Sequence, residues 1–478
     1  MKKNICISLF IAVFTFSMQG QTKQWTLAEC VEYALKNNIS IKQTDLDNQL
    51  AAIDKRGAIG NFLPSLNSSA THSWNIGLNQ NITTGLLENQ TTQFTSAGVN
   101  VGINIYNGLQ NQNRLRRSNL AILAAQYQLT KMKDDVSLNV ANAFLQILFN
   151  KENLKVQNEQ LANNQKQIQR TQELVNAGSI PRGDLMDMDA TVAGSNLNVI
   201  NAENALLISK LSLAQLLQLE DFQNFDIIED DYSPQQSTTM LQTPEAIFEK
   251  AKETRVELKI ARTNLEIAER DVKIARGALQ PSLQGFYSFS TRAAYSDRVV
   301  GSMIDPNNPT TVVAVVEGTG ENVVTPNFLP ILDDPAPIFD QFNDNKGHSF
   351  GVQLNIPILN GFTASNNVSR SKVALERYKI AYSQQELDLE RNIYTAFTDA
   401  KGALNAYEAA TVAQRAREEA YNYAKEKYAV GIMNAFDYNQ SQTLLVNAQS
   451  EVIRAKYDYI FRVKVVEFYF GIPITQTK

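Results

Sequence analysis

The sequence predicts a mainly α-helical protein that also carries membrane β-strands, with four strands per chain leading into long coiled-coil helices. Three observations predict this class: an export signal at the start, an internal repeat of long period, and apolar alternation with period two. The 478-residue chain has a formal net charge of −5, which gives no indication of a nucleic-acid partner.

Residues 1–20 have the order of a secretory signal peptide. Lys2 and Lys3 precede an apolar run, and a small residue, Gly20, stands at the predicted cleavage site. Removing the segment takes away two lysines and no acids, so the mature net charge is −7 (44 − 2 − 49). The remaining chain has no run of roughly 18–20 apolar residues, the length of a spanning helix. An exported chain of this kind is either soluble in the periplasm, secreted from the cell, or a β-barrel.

The sequence is duplicated, which predicts two structural repeats. Two landmark pairs are separated by 253 positions and an earlier pair by 217, so the second half carries a 36-residue insertion (253 − 217). The insertion falls in 292–347, a stretch rich in proline, glycine and asparagine that we expect to be an exposed loop. The landmark pairs are Ile105–Gly108 with Ile358–Gly361, Leu174–Gly178 with Lys427–Gly431, and Leu63–Leu66 with Gln280–Leu283.

Each repeat is expected to hold short helices, a strand, a loop, a second strand and two long helices. The predicted divisions are a first repeat at 21–219, an equatorial linker at 220–242, a second repeat at 243–470 and a C-terminal tail at 471–478.

Four runs alternate between an apolar and a small polar face, as strands do between two environments. They lie at 64–78 and 94–106 in the first half, and at 281–291 and 348–357 in the second. A half-buried sheet of a soluble domain would alternate in the same way. A length of about 10 residues and aromatic residues near the strand ends favour a membrane wall.

Four strands are too few to close a membrane barrel. Bacterial barrels begin at about 8 strands, and lipid cannot satisfy the hydrogen bonds of an open edge. The sequence therefore predicts that several chains share one barrel.

Long helices are predicted up to residue 219 and again across 361–470. No proline interrupts Leu109–Val175 or Phe362–Tyr428, and about 67 residues at 1.5 Å each reach roughly 100 Å. A cytosolic spectrin-like rod would explain these helices but neither the strands nor the signal. The second-half seam follows a 3.5-residue repeat typical of a coiled coil: Leu375, Tyr378, Tyr382, Leu389, Ile393, Ala396, Ala400, Ala403 and Tyr407.

A glycine followed six residues later by an aspartate occurs at equivalent places in both halves, as Gly178 with Asp184 and Gly431 with Asp437. With this motif and the duplicated strand–strand–helix–helix plan, the chain resembles the TolC family of outer-membrane efflux proteins over essentially its whole mature length. The resemblance implies a homotrimer with a 12-stranded barrel in the outer membrane and a 12-helix tunnel in the periplasm. It also implies a passive export conduit that a periplasmic adaptor (membrane fusion) protein opens at its tip, coupled to an inner-membrane transporter.

The resemblance also implies a periplasmic gate just after the tip glycines. Its candidate residues are Asp184, Asp187, Tyr428, Asp437 and Gln440. Asp437 matches the first of two acidic rings in the family, whereas the second position is Gln440 and is uncharged. Tyr428 and Asp184 match a hydrogen-bonded pair of the closed state.

The gate region departs from the family pattern at one position, and its aspartates have an alternative role. Met433 stands where the family's best-known member has an arginine. Asp184 and Asp437 also fall in first turns of predicted helices, where acids interact favourably with free amides and the helix dipole, so capping remains an alternative role. The tips at Gly178 and Gly431 are the expected adaptor-docking sites.

Two other functions stay open on the sequence. One is the outer-membrane component of a type I protein secretion system, which only the neighbouring genes would distinguish. The other is a non-conducting coiled-coil adhesin. We find no motif of an enzyme and expect no cofactor and no metal, since His72 and His348 have no nearby metal-ligating residues.

Overall fold

The computed structural model describes residues 24–80, 85–220, 224–229 and 238–474. The predicted signal peptide, 1–20, and the last residues of the tail, 475–478, lie outside these ranges. No described helix combines the length and the apolar character that crossing a membrane requires. The chain divides into two compact units, one of Met1–Ala51, Leu120–Glu266 and Glu376–Lys478, the other of Ala52–Asn119 and Ile267–Leu375.

Four helices of the first half have counterparts of equal length in the second, with lengths of 11, 22, 67 and 36 residues. The duplication seen in the sequence therefore extends to the bounds of the helices. The helices are α1 (Leu27–Asn37), α2 (Ile39–Gly60), α3 (Gln110–Asn176), α4 (Arg182–Leu217), α5 (Pro244–Thr254), α6 (Val256–Gly277), a short α7 (Ile338–Asp344), α8 (Thr363–Ala429) and α9 (Ala435–Phe470).

The first helix of each half begins at a threonine cap. The Thr26 hydroxyl accepts a hydrogen bond from the Glu29 amide at 3.2 Å, and the Glu29 carboxylate accepts one from the Thr26 amide at 2.9 Å. The Thr243 hydroxyl accepts from the Ala246 amide at 3.3 Å. These side chains satisfy amides that a helix start leaves without partners, and so fix where α1 and α5 begin.

The turn from the second strand into the long helix is also repeated. Gly108 and Leu109 have φ of 66° and 60°, and Gly361 and Phe362 have φ of 59° and 63°. A Cβ at Gly108 would stand 2.1 Å from the carbonyl oxygen of Gly277, so only glycine permits this approach of two backbones.

Within the described ranges, the strands form one larger sheet and three small ones. The four-stranded sheet has the order β10-β5-β3-β2, and all its neighbours are antiparallel. The strands are β1 (Gln24–Trp25), β2 (Ser65–Gln80), β3 (Leu87–Asn107), β4 (Asp226–Ile227), β5 (Ser282–Ala294), β6 (Arg298–Ile304), β7 (Thr310–Val315), β8 (Asn322–Pro326), β9 (Phe328–Asp333) and β10 (Gly347–Asn355).

The expectation of a plain loop at 292–347 was wrong. Although most of the segment is exposed, it contains β6 paired with β9, β7 paired with β8, and helix α7. Proline and glycine occur both between the short strands, as at Pro306 and Gly318, and within them, as at Gly301, Pro326 and Pro330, so the composition concealed the strands. The strands of the main sheet also differ from their predicted bounds, because β3 begins at Leu87 rather than 94 and β5 continues to Ala294.

The main apolar core lies in the first unit. Helix α1, the middle of α3, the end of α4 and the end of α9 contribute its buried side chains, among them Cys30, Phe144 and Leu213. Part of the predicted linker belongs to this core, because β4 pairs with β1 in parallel and Ile227 is fully buried. A second cluster, which includes Ile247 and Ile393, joins α5 to α8.

Candidate functional site: sheet faces and helix tips

One face of the four-stranded sheet carries a row that is apolar across all four strands. Leu66, Val101, Tyr287 and Phe350 are in register in one row from β2 to β10. Leu66 and Phe350 are 71% and 79% exposed. An exposed apolar face of this kind suits contact with hydrocarbon rather than water.

The opposite face is polar in the next row along the strands. Asn67, Asn100, Ser288 and Ser349 are in register there. The Ser288 hydroxyl donates a hydrogen bond to the Asn100 side-chain oxygen at 2.7 Å. Short neutral side chains leave room beside the sheet and accept water, so this face is suited to line a wet lumen.

Phe286 is the aromatic residue that interrupts the alternation of β5, and it lies on the polar face. Its register neighbours are Gly102 on β3 and Gly351 on β10. A Cβ at Gly351 would lie 3.2 Å from the Phe286 ring. The ring therefore fits because the neighbouring strands present glycine, which explains the irregular pattern in the sequence.

The two histidines make hydrogen bonds on the apolar face. The rings of His72 and His348 contact the Thr95 hydroxyl at 2.7 Å and the Tyr287 hydroxyl at 2.9 Å, respectively. No group of three or more potential metal ligands exists within the described part of the chain.

Both helix hairpins turn at glycines in the left-handed conformation, Gly178 with φ 72° and Gly431 with φ 75°. In each turn the amide after the glycine donates to the carbonyl five residues earlier, an arrangement that ends a helix with its last carbonyls satisfied. Both hydrogen bonds measure 2.9 Å, from Ser179 to Leu174 and from Ile432 to Lys427.

The two tip aspartates occupy the same position in their helices, the third residue, but their surroundings differ. At α9 the Asn434 side-chain oxygen accepts a hydrogen bond from the Asp437 amide at 2.8 Å, and the Asp437 side chain is exposed. At α4 the preceding Pro181 supplies no side-chain cap, and Asp184 is half-buried. Among the described residues, neither carboxylate has a hydrogen-bond or ion-pair partner. The other candidates, Asp187 and Gln440, are both exposed.

Tyr428 is placed against another tyrosine, and no hydrogen bond joins it to Asp184 among the described residues. Its ring stacks on that of Tyr438 at 4.7 Å between centroids, with 12° between planes. The Tyr438 hydroxyl lies 2.9 Å from that of Tyr421. The pKa of the Tyr438 phenol is raised, mainly by burial and to a smaller extent by this hydrogen bond.

Sequence reasoning did not find Tyr421 or Tyr438. The spacing of Tyr421 and Tyr428, seven residues apart on one helix, was the available indication that they share a face.

The two hairpins meet near the tips through a few polar contacts. The Asn439 side-chain nitrogen on α9 lies 3.5 Å from both the Met188 sulfur and the Thr191 hydroxyl on α4. The Arg170 guanidinium on α3 donates to the Ala429 carbonyl at the end of α8 at 3.4 Å. These contacts are long, so the hydrogen bonds between the hairpins at the tips are weak. Farther from the tips, the Ser450 hydroxyl on α9 donates to the Asn153 side-chain oxygen on α3 at 3.0 Å.

Comparison with known proteins gives a consistent result. The sequence profile of the outer membrane efflux protein family matches residues 30–218 and 247–462, more than half of the chain. Outer membrane protein TolC of Vibrio cholerae is 22% identical over 469 residues, which cover 96% of this chain and 93% of that protein.

Two solved structures have the same fold. VceC of Vibrio cholerae has a TM-score of 0.73 at 14% identity, with 94% of this chain and 96% of that chain covered. The CmeC channel of Campylobacter jejuni has a TM-score of 0.70 at 19% identity, with 94% and 87% covered. The predicted fold class, long helices combined with a four-stranded sheet, is confirmed.

Proposed function

Because the chain belongs to the outer membrane efflux protein family, we propose that three copies of it form one trimeric export channel through the outer membrane. Membership in the family confirms the resemblance inferred from the sequence. It makes the chain an outer-membrane channel protein and not an enzyme. The proposal adds the number of copies, the partners and the way in which the channel opens.

The observation that carries the proposal is the sheet, which has two different faces and two open edges. Strands β10 and β2 are the outer strands, and no described strand pairs with their free sides. In hydrocarbon an unpaired edge costs several kcal/mol per polar group. Pairing of β10 in one copy with β2 in the next removes both edges, and three copies supply the 12 strands of the family barrel.

The length and the tips of the helices support a tunnel that meets partners in the periplasm. Helices α3 and α8 each have 67 residues, which corresponds to roughly 100 Å at 1.5 Å per residue. At the second tip, Val430, Ile432 and Phe436 are 69%, 77% and 75% exposed. Apolar side chains clustered at an exposed turn favour docking of another protein. We assign Gly178 and Gly431 to the adaptor-docking tips, with an inner-membrane transporter as the pump.

The first-turn acids divide into two roles under this proposal. Asn434 already satisfies the Asp437 amide, so the Asp437 carboxylate is available to form a charged ring at the mouth. Asp184 lies in the first turn of α4, which has no side-chain cap, and its negative charge there interacts favourably with the helix dipole. Asp187 and Gln440, both exposed, complete the mouth, and Tyr428 helps to hold α8 against α9.

The experiment that tests the proposal combines mass with conductance. The mature protein is extracted in detergent, its mass is measured by light scattering after size exclusion, and it is then added to planar bilayers. We expect a trimer and discrete single-channel currents that protein-free detergent does not give. Monomeric or freely water-soluble protein would overturn the trimer, and a trimer without currents would favour an adhesin.

A further inference from the structure

The 36-residue insertion of the second half forms a two-stranded ribbon of unusual composition. Strand β6 pairs with β9, and β7 with β8, to give a hairpin that spans 298–333 (the outer hairpin). Every residue of the four strands except Gly301 is exposed. A two-stranded ribbon is at best marginally stable in water, so this one requires a covering surface.

Neither face of the outer hairpin is polar. Met303 pairs with Leu329 on one face, and Ile304 pairs with Phe328 on the other. All four side chains are between 42% and 56% exposed. Between Val299 and Leu332 the sequence has three charged residues, all acidic. Exposed apolar patches of this size mark sites of association.

An ion pair closes the base of the outer hairpin, and helix α7, which follows the hairpin, is fixed to the end of β5. Arg298 and Asp333 form an ion pair of 2.7 Å across the first rung. The Gln341 side chain on α7 makes two hydrogen bonds of 2.9 Å with the backbone of Ala294. The Thr291 hydroxyl donates to the Phe342 carbonyl at 2.8 Å. The hairpin therefore starts from a defined place on the sheet.

A second apolar patch lies at the same end of the sheet, on the opposite edge strand. Ser73, Phe94 and Ala294 form the last rung shared by β2, β3 and β5, and β2 continues beyond it to Gln80. On this extension Ile76 and Leu78 are 83% and 67% exposed. The outward side of β2 here has no partner strand among the described residues.

We propose that the outer hairpin of one copy packs on the extension of β2 in the next copy. The inference rests on the proposed trimer and deepens it. Strand β10, into which the hairpin leads through α7, and strand β2 are opposite edges of the sheet. Closure by identical copies joins unlike edges, so it places the hairpin of each copy beside β2 of its neighbour.

The distances along the chain agree with this pairing. Ser73 and Ala294 belong to the same rung of the sheet. Leu78 lies five positions beyond Ser73 (78 − 73), and Val299 lies five positions beyond Ala294 (299 − 294). Val299 pairs with Leu332 across the hairpin. The two patches therefore begin the same number of residues beyond that rung. Their contact extends the junction between protomers beyond the barrel wall.

The test uses Leu78→Cys and Leu332→Cys together in a Cys30→Ala background. Of the two native cysteines, Cys6 lies in the predicted signal peptide and Cys30 is replaced. A short bis-maleimide should give covalent dimers and trimers on denaturing gels from the double variant and only monomer from each single variant. Thr319→Cys, at the far turn of the hairpin, replaces Leu332→Cys in a matched control that should not cross-link to Leu78→Cys.

The outcomes separate this inference from the trimer itself. Protein that is trimeric by mass but does not cross-link overturns the hairpin contact and leaves the channel intact. Cross-linking of Leu332→Cys alone would show that hairpins meet one another and would also overturn it. Rapid reaction of Leu332→Cys with a water-soluble maleimide in the trimer would indicate an uncovered hairpin. Monomeric protein would overturn both proposals.

Discussion

Gly178 and Gly431 adopt nearly the same backbone conformation, with φ of 72° and 75°, although 253 positions separate them (431 − 178). A Cβ at either glycine would meet no atom within 4 Å. The need for glycine is therefore one of backbone conformation and not of space. The left-handed region costs other residues about 1–2 kcal/mol.

We expect Gly431→Ala to destabilise the second tip by about 1–2 kcal/mol, because alanine must hold a positive φ. Hydrogen–deuterium exchange of amides between Tyr428 and Asp437 should become faster. Gly402→Ala is the matched control, since Gly402 lies inside α8 with open space around it and alanine favours a helix by about 0.5–1 kcal/mol. Equal exchange rates in Gly431→Ala and the parent would show that the left-handed conformation at residue 431 does not require glycine.

The Tyr421–Tyr438 hydrogen bond should contribute to holding α8 against α9. Tyr438→Phe removes the bond but keeps the stacking on Tyr428, so we expect a loss of about 0.5–1.5 kcal/mol in denaturant unfolding. Tyr421→Phe should cost a similar amount. The double variant should lose little more than either single one, because both remove the same bond. Fully additive losses would show that the two hydroxyls act independently.

The contact between Lys151 and Asp226 fixes the linker to α3. Their side-chain atoms are 2.8 Å apart, and Lys210 on α4 approaches the same carboxylate oxygen at 3.1 Å. Burial by itself raises the pKa of Asp226, but hydrogen bonds from Lys151, the Ile227 amide and Lys210 outweigh it and lower the pKa below its usual 3.8. A lowered pKa in the folded state means that the unfolded state binds the proton first as the pH falls.

The stabilisation from Asp226 should thus be complete above about pH 4 and be lost as the pH falls through the folded-state pKa. At neutral pH, Asp226→Asn should cost about 0.5–1.5 kcal/mol after solvent screening. Limited proteolysis within 218–243 should become faster. Glu229→Gln is the control, because Glu229 contacts the same lysine at 3.1 Å but is 71% exposed and should contribute little. Equal cleavage rates in Asp226→Asn and Glu229→Gln would show that Asp226 does not fix the linker.

The sequence predicted the parts of the fold whose residues face two contrasting environments. Leu66 and Asn67 are neighbours in sequence on opposite faces of β2, so the alternation was visible there. From Glu88 to Gln93 strand β3 is polar on both faces, and in the outer hairpin both faces are apolar, so neither stretch alternates. A period-two pattern requires one apolar and one polar face, whereas each of these stretches has side chains of the same polarity on both faces.

The tips show the same limit. Gly178 and Gly431 could be found because the backbone conformation is a local property that only glycine adopts readily. The partner of Tyr428 is a tertiary property. Tyr438 reaches it from the returning helix, at a position set by the packing of α8 on α9 rather than by the local sequence.

The charge at the channel mouth should set the ion selectivity of the channel. In a trimer, three Asp437 carboxylates would raise the local concentration of cations, so Asp437→Asn should lower the cation-to-anion permeability ratio in planar bilayers. The fold should be unaffected, because Asn434 accepts the amide of residue 437 whatever its side chain. Asp437→Glu keeps the charge and should conduct as the parent does, whereas Gln440→Glu adds a second ring and should increase cation preference. Unchanged selectivity in Asp437→Asn would remove this residue from the gate.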